Sequence, residues 1–276
     1  MSNRIHVLDF GAVRVDENFI VSNSTIVTQS NPSAISRLVD VPISGFLIES
    51  PIGNILYDTG CHPECMGPNG RWTARHQEEG PFLGGSECTL PARLKELGLG
   101  PDQIVCVVLS HLHNDHAGCV EFFDKSKIIV HEDEFAGALR QFALHNDLTN
   151  YVLKDVAAWI ERPRNWELIS RDEPFRDLAE GVRVLNFGSG HAYGMLGLAV
   201  KLRARPGFLL VSDACYGSAN YGSKGRRAGI IHDTIGYEKT LRFIERYAEK
   251  ESLEVLFGHD ADQFAKLINS PSGSYD

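Results

Sequence analysis

The sequence predicts a mixed α/β domain spanning residues 1–276, and three observations carry that prediction. Short apolar runs rich in β-branched residues alternate with helix-like stretches. Polar residues emerge directly at the ends of several of those runs, where α/β folds usually place their sites. Neither a linker-like stretch nor an obvious internal repeat breaks the chain, whose length lies near the upper limit for one domain.

The elements follow in order. Gly45-Phe46-Leu47-Ile48 and Asn54-Ile55-Leu56-Tyr57-Asp58 read as strands of a hairpin, joined by a turn with Pro51 and Gly53. Residues 61–89 are rich in glycine, proline and charge, which predicts a long loop; such loops are uncommon unless functional. Pro91 to Leu97 reads as a helix stopped by Gly98. Ile104 to Leu109 is a buried strand, Lys127 to Val130 another, and Asp133 to Phe142 a helix. Further strands are expected at Val182–Leu185, Leu196–Leu202 and Phe208–Ser212. A helix over Tyr237–Lys250 and a last strand over Leu253–Phe257 complete the pattern.

Composition narrows the function classes. The formal net charge of -9, with no Lys/Arg-rich stripe, disfavours nucleic acid, because phosphate neutralisation supplies most non-specific affinity for it. The one local basic cluster is Lys224, Arg226 and Arg227. No apolar run approaches the roughly 18 residues of a membrane span. The start, Met1 to His6, is too polar for a secretory signal, so the expected location is the cytoplasm. The six cysteines (Cys61, Cys65, Cys88, Cys106, Cys119, Cys215) are expected to be reduced and mostly buried, since a chain of this size needs no disulfide framework. Cys61 and Cys65 have metal-ligand spacing, but no second pair completes a site.

The chemistry is concentrated in H-L-H-N-D-H at positions 111–116, directly after a strand. Three imidazoles and a carboxylate in six residues suit a borderline divalent metal. A helix would scatter the four groups around its axis, so a loop between strand and helix is expected. The pattern of strand followed by ligand recurs at Gly190-His191, at Asp213 and at Gly258-His259. Glycines beside two of these positions allow tight turns there.

This ordered set resembles the metallo-β-lactamase superfamily. The resemblance implies an αβ/βα four-layer sandwich, with two mixed β-sheets flanked by helices. It places His111, His113 and His191 on one divalent ion and Asp115, His116 and His259 on a second, with Asp213 bridging; zinc is the expected metal. Asp58 resembles an aspartate of this superfamily that orients a ligand histidine from behind, although it also suits a turn with Thr59 and Gly60. His6, His62, His76, His131, His145 and His232 are read as ordinary surface or core residues.

Within the superfamily, the chain looks like the N-acyl-homoserine lactonases. Tyr216 lies three residues after Asp213, where those enzymes direct a tyrosine hydroxyl at the substrate carbonyl. The strings Leu109 to Gly118 and Gly258-His259-Asp260 with Gln263 are similar to theirs. Residues 61–89 and 16–40 match where they build an acyl-chain pocket. Asn114 departs from relatives that carry an aromatic there. The implied reaction is lactone opening by a metal-bridging hydroxide, with Tyr216 on the oxyanion and Asp115 shuttling the proton. The expected partner is thus a small molecule, an N-acyl-homoserine lactone. A glyoxalase II-like thioester hydrolase or another lactonase is the alternative, but only 17 residues follow His259, too few for a glutathione-binding helical region. A non-enzymatic scaffold on the same fold would tend to lose ligands.

Overall fold

The computed structural model describes residues 3–276. The chain opens with β1 (Arg4–Asp16), a four-residue helix α1 (Glu17–Ile20), β2 (Leu38–Ser50) and β3 (Gly53–Tyr57). Two helices, α2 (Ala74–Glu79) and α3 (Leu90–Glu96), precede β4 (Ile104–Val108) and β5 (Lys127–His131). Then come α4 (Glu132–Ala143), α5 (Leu153–Glu161) and strands β6 (Asn165–Ile169), β7 (Phe175–Ala179), β8 (Val182–Gly188), β9 (Met195–Val200) and β10 (Phe208–Ser212). The long α6 (Thr234–Glu251), β11 (Glu254–Phe257) and the single-turn α7 (Ala261–Phe264) finish the fold.

The strands form two mixed sheets, ordered β1-β2-β3-β4-β5-β6 and β11-β10-β9-β8-β7. Strand alternation builds the layers. In β3, Ile55 and Tyr57 join the core between the sheets, while Leu56 faces the outer core with Leu94 of α3 and Val156 of α5. In β10, Phe208 and Leu210 point to the inter-sheet core, and Leu209 and Val211 to the layer under Ile244 of α6. Both faces are therefore apolar, which explains why these strands read as continuous hydrophobic runs rather than alternating ones. Each such side chain contributes about 1.5–3 kcal/mol by leaving water. The Tyr57 hydroxyl donates to Leu196 O at 2.9 Å, tying the two sheets together. The result is the expected helix–sheet–sheet–helix sandwich.

The differences from the sequence reading lie at the periphery. β1 and the first half of β2 were not anticipated; they pair over Arg4–Asp16 and Leu38–Glu49 as the edge of the first sheet. Helix α5 and the short strands β6 and β7 also went unread. The loop at 61–89 does run long, but α2 interrupts it, capped by the Thr73 side chain accepting from His76 N. No described helix is long and apolar enough to cross a membrane. All six cysteines are free and five of them are buried.

Candidate metal centre

The site lies where strands end. β8, β10 and β11 run in one direction, because β8 and β10 are each antiparallel to β9 and β11 is parallel to β10. Their carboxyl ends therefore share an edge, and His191, Asp213 and His259 follow them there. In the first sheet, Asp58 follows β3 and the 111–116 run follows the parallel β4. That run is a loop, as expected, but it leads into a 3-10 turn at Val120–Phe122 rather than an α-helix. At Gly258 a Cβ would sit 2.7 Å from Asp213 Oδ1, so close approach to the cluster requires glycine.

The seven groups converge. Asp213 divides its carboxylate between two clusters: Oδ2 is 3.3 Å from His191 Nε2 and 3.8 Å from His111 Nε2. Its Oδ1 is 3.1 Å from His259 Nε2 and 3.3 Å from His116 Nε2. His113 Nδ1 lies 3.0 Å from His191 Nε2, closing the first cluster. Asp115 Oδ2 lies 3.5 Å from His116 Nε2 and 3.6 Å from His259 Nε2, closing the second. The triads His111/His113/His191, His111/His116/Asp213 and Asp115/His116/His259 each bring ligand atoms within 4.8 Å of one another.

Outward-facing atoms fix the tautomers. His116 Nδ1 donates to Asp58 Oδ2 at 2.9 Å, His191 Nδ1 to Ile230 O at 3.0 Å and His259 Nδ1 to Pro42 O at 2.8 Å. His111 Nδ1 lies 2.9 Å from Ser110 Oγ. Each of these rings thus has a partner for a proton on its outer nitrogen, which leaves the inner nitrogen for a metal, as in metal-ligating histidines. His111 Nε2, His116 Nε2 and Asp213 Oδ1 are buried without a hydrogen-bond partner, atoms that a divalent cation would satisfy. The donor set of imidazole and carboxylate suits a dinuclear centre.

The electrostatics agree. Burial, then the neighbouring imidazoles, holds His111 and His113 well below the ordinary histidine range, so both are neutral. For His116 burial opposes protonation, yet Asp115 and Asp213 outweigh it and raise the pKa well above normal. His259 is raised in the same way, burial being outweighed by Asp213. Burial likewise opposes ionisation of Asp115, but His116 and His259 draw its pKa down to about 2. The buried Asp213 and the half-buried Asp115 thus demand positive charge, and a cation that supplies it releases protons from His116 and His259.

Asp58 holds its place in the left-handed region, at φ 60°. Its Oδ1 accepts from Ser110 N at 2.7 Å and its Oδ2 from Ser110 Oγ at 2.8 Å, in addition to His116. Its side-chain bonds go to Ser110, Ser212 and His116 and not to Thr59 or Gly60, so the carboxylate faces a histidine instead of capping its own turn. Tyr216 is 3% exposed, and its hydroxyl lies 3.3 Å from His191 Nδ1. Burial, reinforced by Asp213, keeps that phenol protonated, well above the ordinary tyrosine value. Since the His191 Nδ1 proton goes to Ile230 O, the phenol proton is free to point into the cleft.

That cleft opens over the cluster between Val15, Phe19, Ile20 and Val41 on one side and Arg75, Glu79 and Asn114 on another. The segments at 16–40 and 61–89 both reach it, and Asn114 lines it beside Asn150. His76, read as an ordinary residue, also lines it, while its Nε2 is held 2.6 Å from Thr149 O. Cys61 and Cys65 belong to the apolar core instead. Cys215 packs under α6; a turn after β10, rather than strand alternation, carries it away. Arg226 donates to the carbonyls of Ser22 and Asn23 and Arg227 to Glu238, so both arginines of the basic cluster bond within the chain. Ser110, Ser212, Tyr151 and Glu134 were missed. Only Ser110 had a signal, its place directly before the histidine run.

Comparison with known proteins agrees with this geometry. The metallo-beta-lactamase superfamily model matches residues 38–132. The N-acyl homoserine lactonase AiiB of Agrobacterium fabrum is 60% identical over 276 residues, covering 100% of both chains. The protein of the same name from Rhizobium rhizogenes is 61% identical over the same span. Among solved structures, an N-acyl homoserine lactone hydrolase with N-hexanoyl-L-homoserine bound at its catalytic metal center has the same fold. Its TM-score is 0.81 at 24% identity, with 97% of each chain covered. The chain therefore belongs to the N-acyl homoserine lactonase family of the metallo-β-lactamase superfamily.

Proposed function

We propose that the chain hydrolyses the ring ester of N-acyl-homoserine lactones, using His111, His113 and His191 on one metal, Asp115, His116 and His259 on the other, and Asp213 between them. The observation that carries this reading is the split Asp213 carboxylate in a cleft that Val15, Phe19, Ile20 and Val41 also line. Full-length kinship to proteins named for that activity supports it. Zinc is the proposed metal, since imidazole-rich sites suit it. When bound, the two cations supply a hydroxide nucleophile near neutral pH and Lewis-acid activation of the carbonyl.

The chain's own residues supply the rest. The Tyr216 hydroxyl donates to the lactone carbonyl oxygen and follows it as charge develops, a contribution of about 2.7–4 kcal/mol for a donor of this kind. Asp115, a ligand with one carboxylate oxygen free, would receive the nucleophile's proton and return it to the leaving alkoxide. Val15, Phe19, Ile20 and Val41 take the acyl chain and exclude water from it. The product is an N-acyl-homoserine. The whole chain is taken to act as one domain, and the free thiols fit the cytoplasm.

The test is incubation of metal-loaded protein with N-hexanoyl-homoserine lactone, following proton release and identifying the ring-opened acid by mass spectrometry. Chelator-sensitive ring opening is expected. Two bound metals with no ring opening, but with cleavage of a glutathione thioester, would overturn the assignment.

A further inference from the structure

Glu134 is a fully buried carboxylate that the mechanism above does not use. It sits in the first turn of α4, facing inward. Its Oε1 accepts from Leu112 N at 2.8 Å, the backbone between His111 and His113. Its Oε2 accepts from Gly194 N at 3.2 Å, on the loop that carries His191. The Tyr151 hydroxyl donates to both oxygens, at 3.0 and 3.1 Å, and the Tyr151 ring packs edge-on against His113 with centroids 4.9 Å apart. One side chain thus ties together the two loops that bear three imidazoles, plus the aromatic that seats one of them. None of its contacts reaches Asp115, His116 or His259. Asp58 is its counterpart on the other side, bonded to His116 and Ser110.

We infer that Glu134 is the positioning residue of the His111/His113/His191 site, fixing the two loops from behind, while Asp58 bonds His116 directly and reaches His111 only through Ser110. The inference rests on the dinuclear reading of the centre. Its physical basis is the count of acceptors. A carboxylate accepts on both oxygens, whereas a glutamine of the same shape accepts on one and turns an NH2 toward either Leu112 N–H or Gly194 N–H, neither of which can accept. Glu134→Gln therefore displaces Leu112 or Gly194, and with them the loops of the three rings, while Asp58 still holds His116. Substitutions behind metal ligands typically cost about 10–100-fold in affinity.

The experiment is competition of zinc between the full-length protein and a chromophoric chelator, resolving two binding constants. It is run on wild type, Glu134→Gln and Tyr151→Phe, with far-UV circular dichroism as a check on folding. In Glu134→Gln one constant should weaken about 10- to 100-fold and the other stay within about twofold. Tyr151→Phe, which deletes a single donor and preserves the packing, should weaken the same constant by less, and it carries the test if Glu134→Gln fails to fold. Equal weakening of both constants, or none in either variant, overturns the inference. Wild-type protein that binds no second zinc defeats the dinuclear reading itself, and the inference with it.

Discussion

Replacing Asp58 by asparagine changes one atom and should disable the second metal site. Asparagine accepts a φ near 60° readily, so the backbone turn is kept. Its amide must then choose. If its carbonyl stays on Ser110 N, the NH2 replaces Oδ2 at 2.9 Å from His116 Nδ1. Two donors then oppose one another unless the histidine moves its proton to Nε2, the atom 3.3 Å from Asp213 that should bind metal. If the amide flips, the NH2 faces the fixed Ser110 N–H at 2.7 Å. Either arrangement leaves a buried donor unsatisfied, at about 1–3 kcal/mol. Expressed as metal affinity this is roughly 10- to 100-fold, the usual range for such anchors. Metal analysis after desalting, with kcat/KM on N-hexanoyl-homoserine lactone, reads it out. The variant should keep close to one metal per chain and lose most of its turnover. Two retained metals and wild-type turnover would refute the tautomer argument.

Three further outcomes are expected. Tyr216→Phe should keep both metals and lower kcat by about 10²–10³, the effect of losing one oxyanion donor; unchanged kcat in a steady-state assay would remove that role. Phe19→Ala opens the cleft wall and should raise KM for decanoyl- more than for butanoyl-homoserine lactone, because only the longer chain loses apolar contact. Asp155, paired with Arg71 at 3.1 Å, is pushed up to about 7 by burial. Its contribution to stability is complete below its ordinary value near 3.8 and is lost as pH rises through about 7. Asp155→Asn should therefore gain on wild type by about 2–3 kcal/mol between pH 5 and 8 in urea unfolding of the metal-loaded protein. A pH-independent difference would show that Asp155 ionises at its ordinary pH.

The legibility of the chain follows from chemistry and periodicity. Central strands such as Ile104–Val108 and Phe208–Ser212 are covered on both faces, so their apolar runs stand out. The edge strand β1 has a charged residue at each end and polar interruptions at His6 and Asp9, which hid it. The short β6 and β7 bury one face or less and left little pattern. The candidate ligands stood out because each is chemically distinctive and follows a strand end, and the structure brings them together. Glu134 was not, since it shares the Glu132-Asp133-Glu134 run that commonly opens a helix; only the phase of α4 turns that one carboxylate inward. Glu17 and Arg37, which join α1 to the start of β2 at 2.9 Å, were equally silent, because their partnership spans the loop between them.

The central claim is that two metals held by these seven side chains open the lactone ring. Its most direct test is a titration of zinc into metal-stripped protein, recording bound metal per chain and N-hexanoyl-homoserine lactone turnover on the same samples. Turnover should be small at one equivalent and rise to its maximum as the second binds. Full turnover at one metal, or turnover that persists with none, would contradict it.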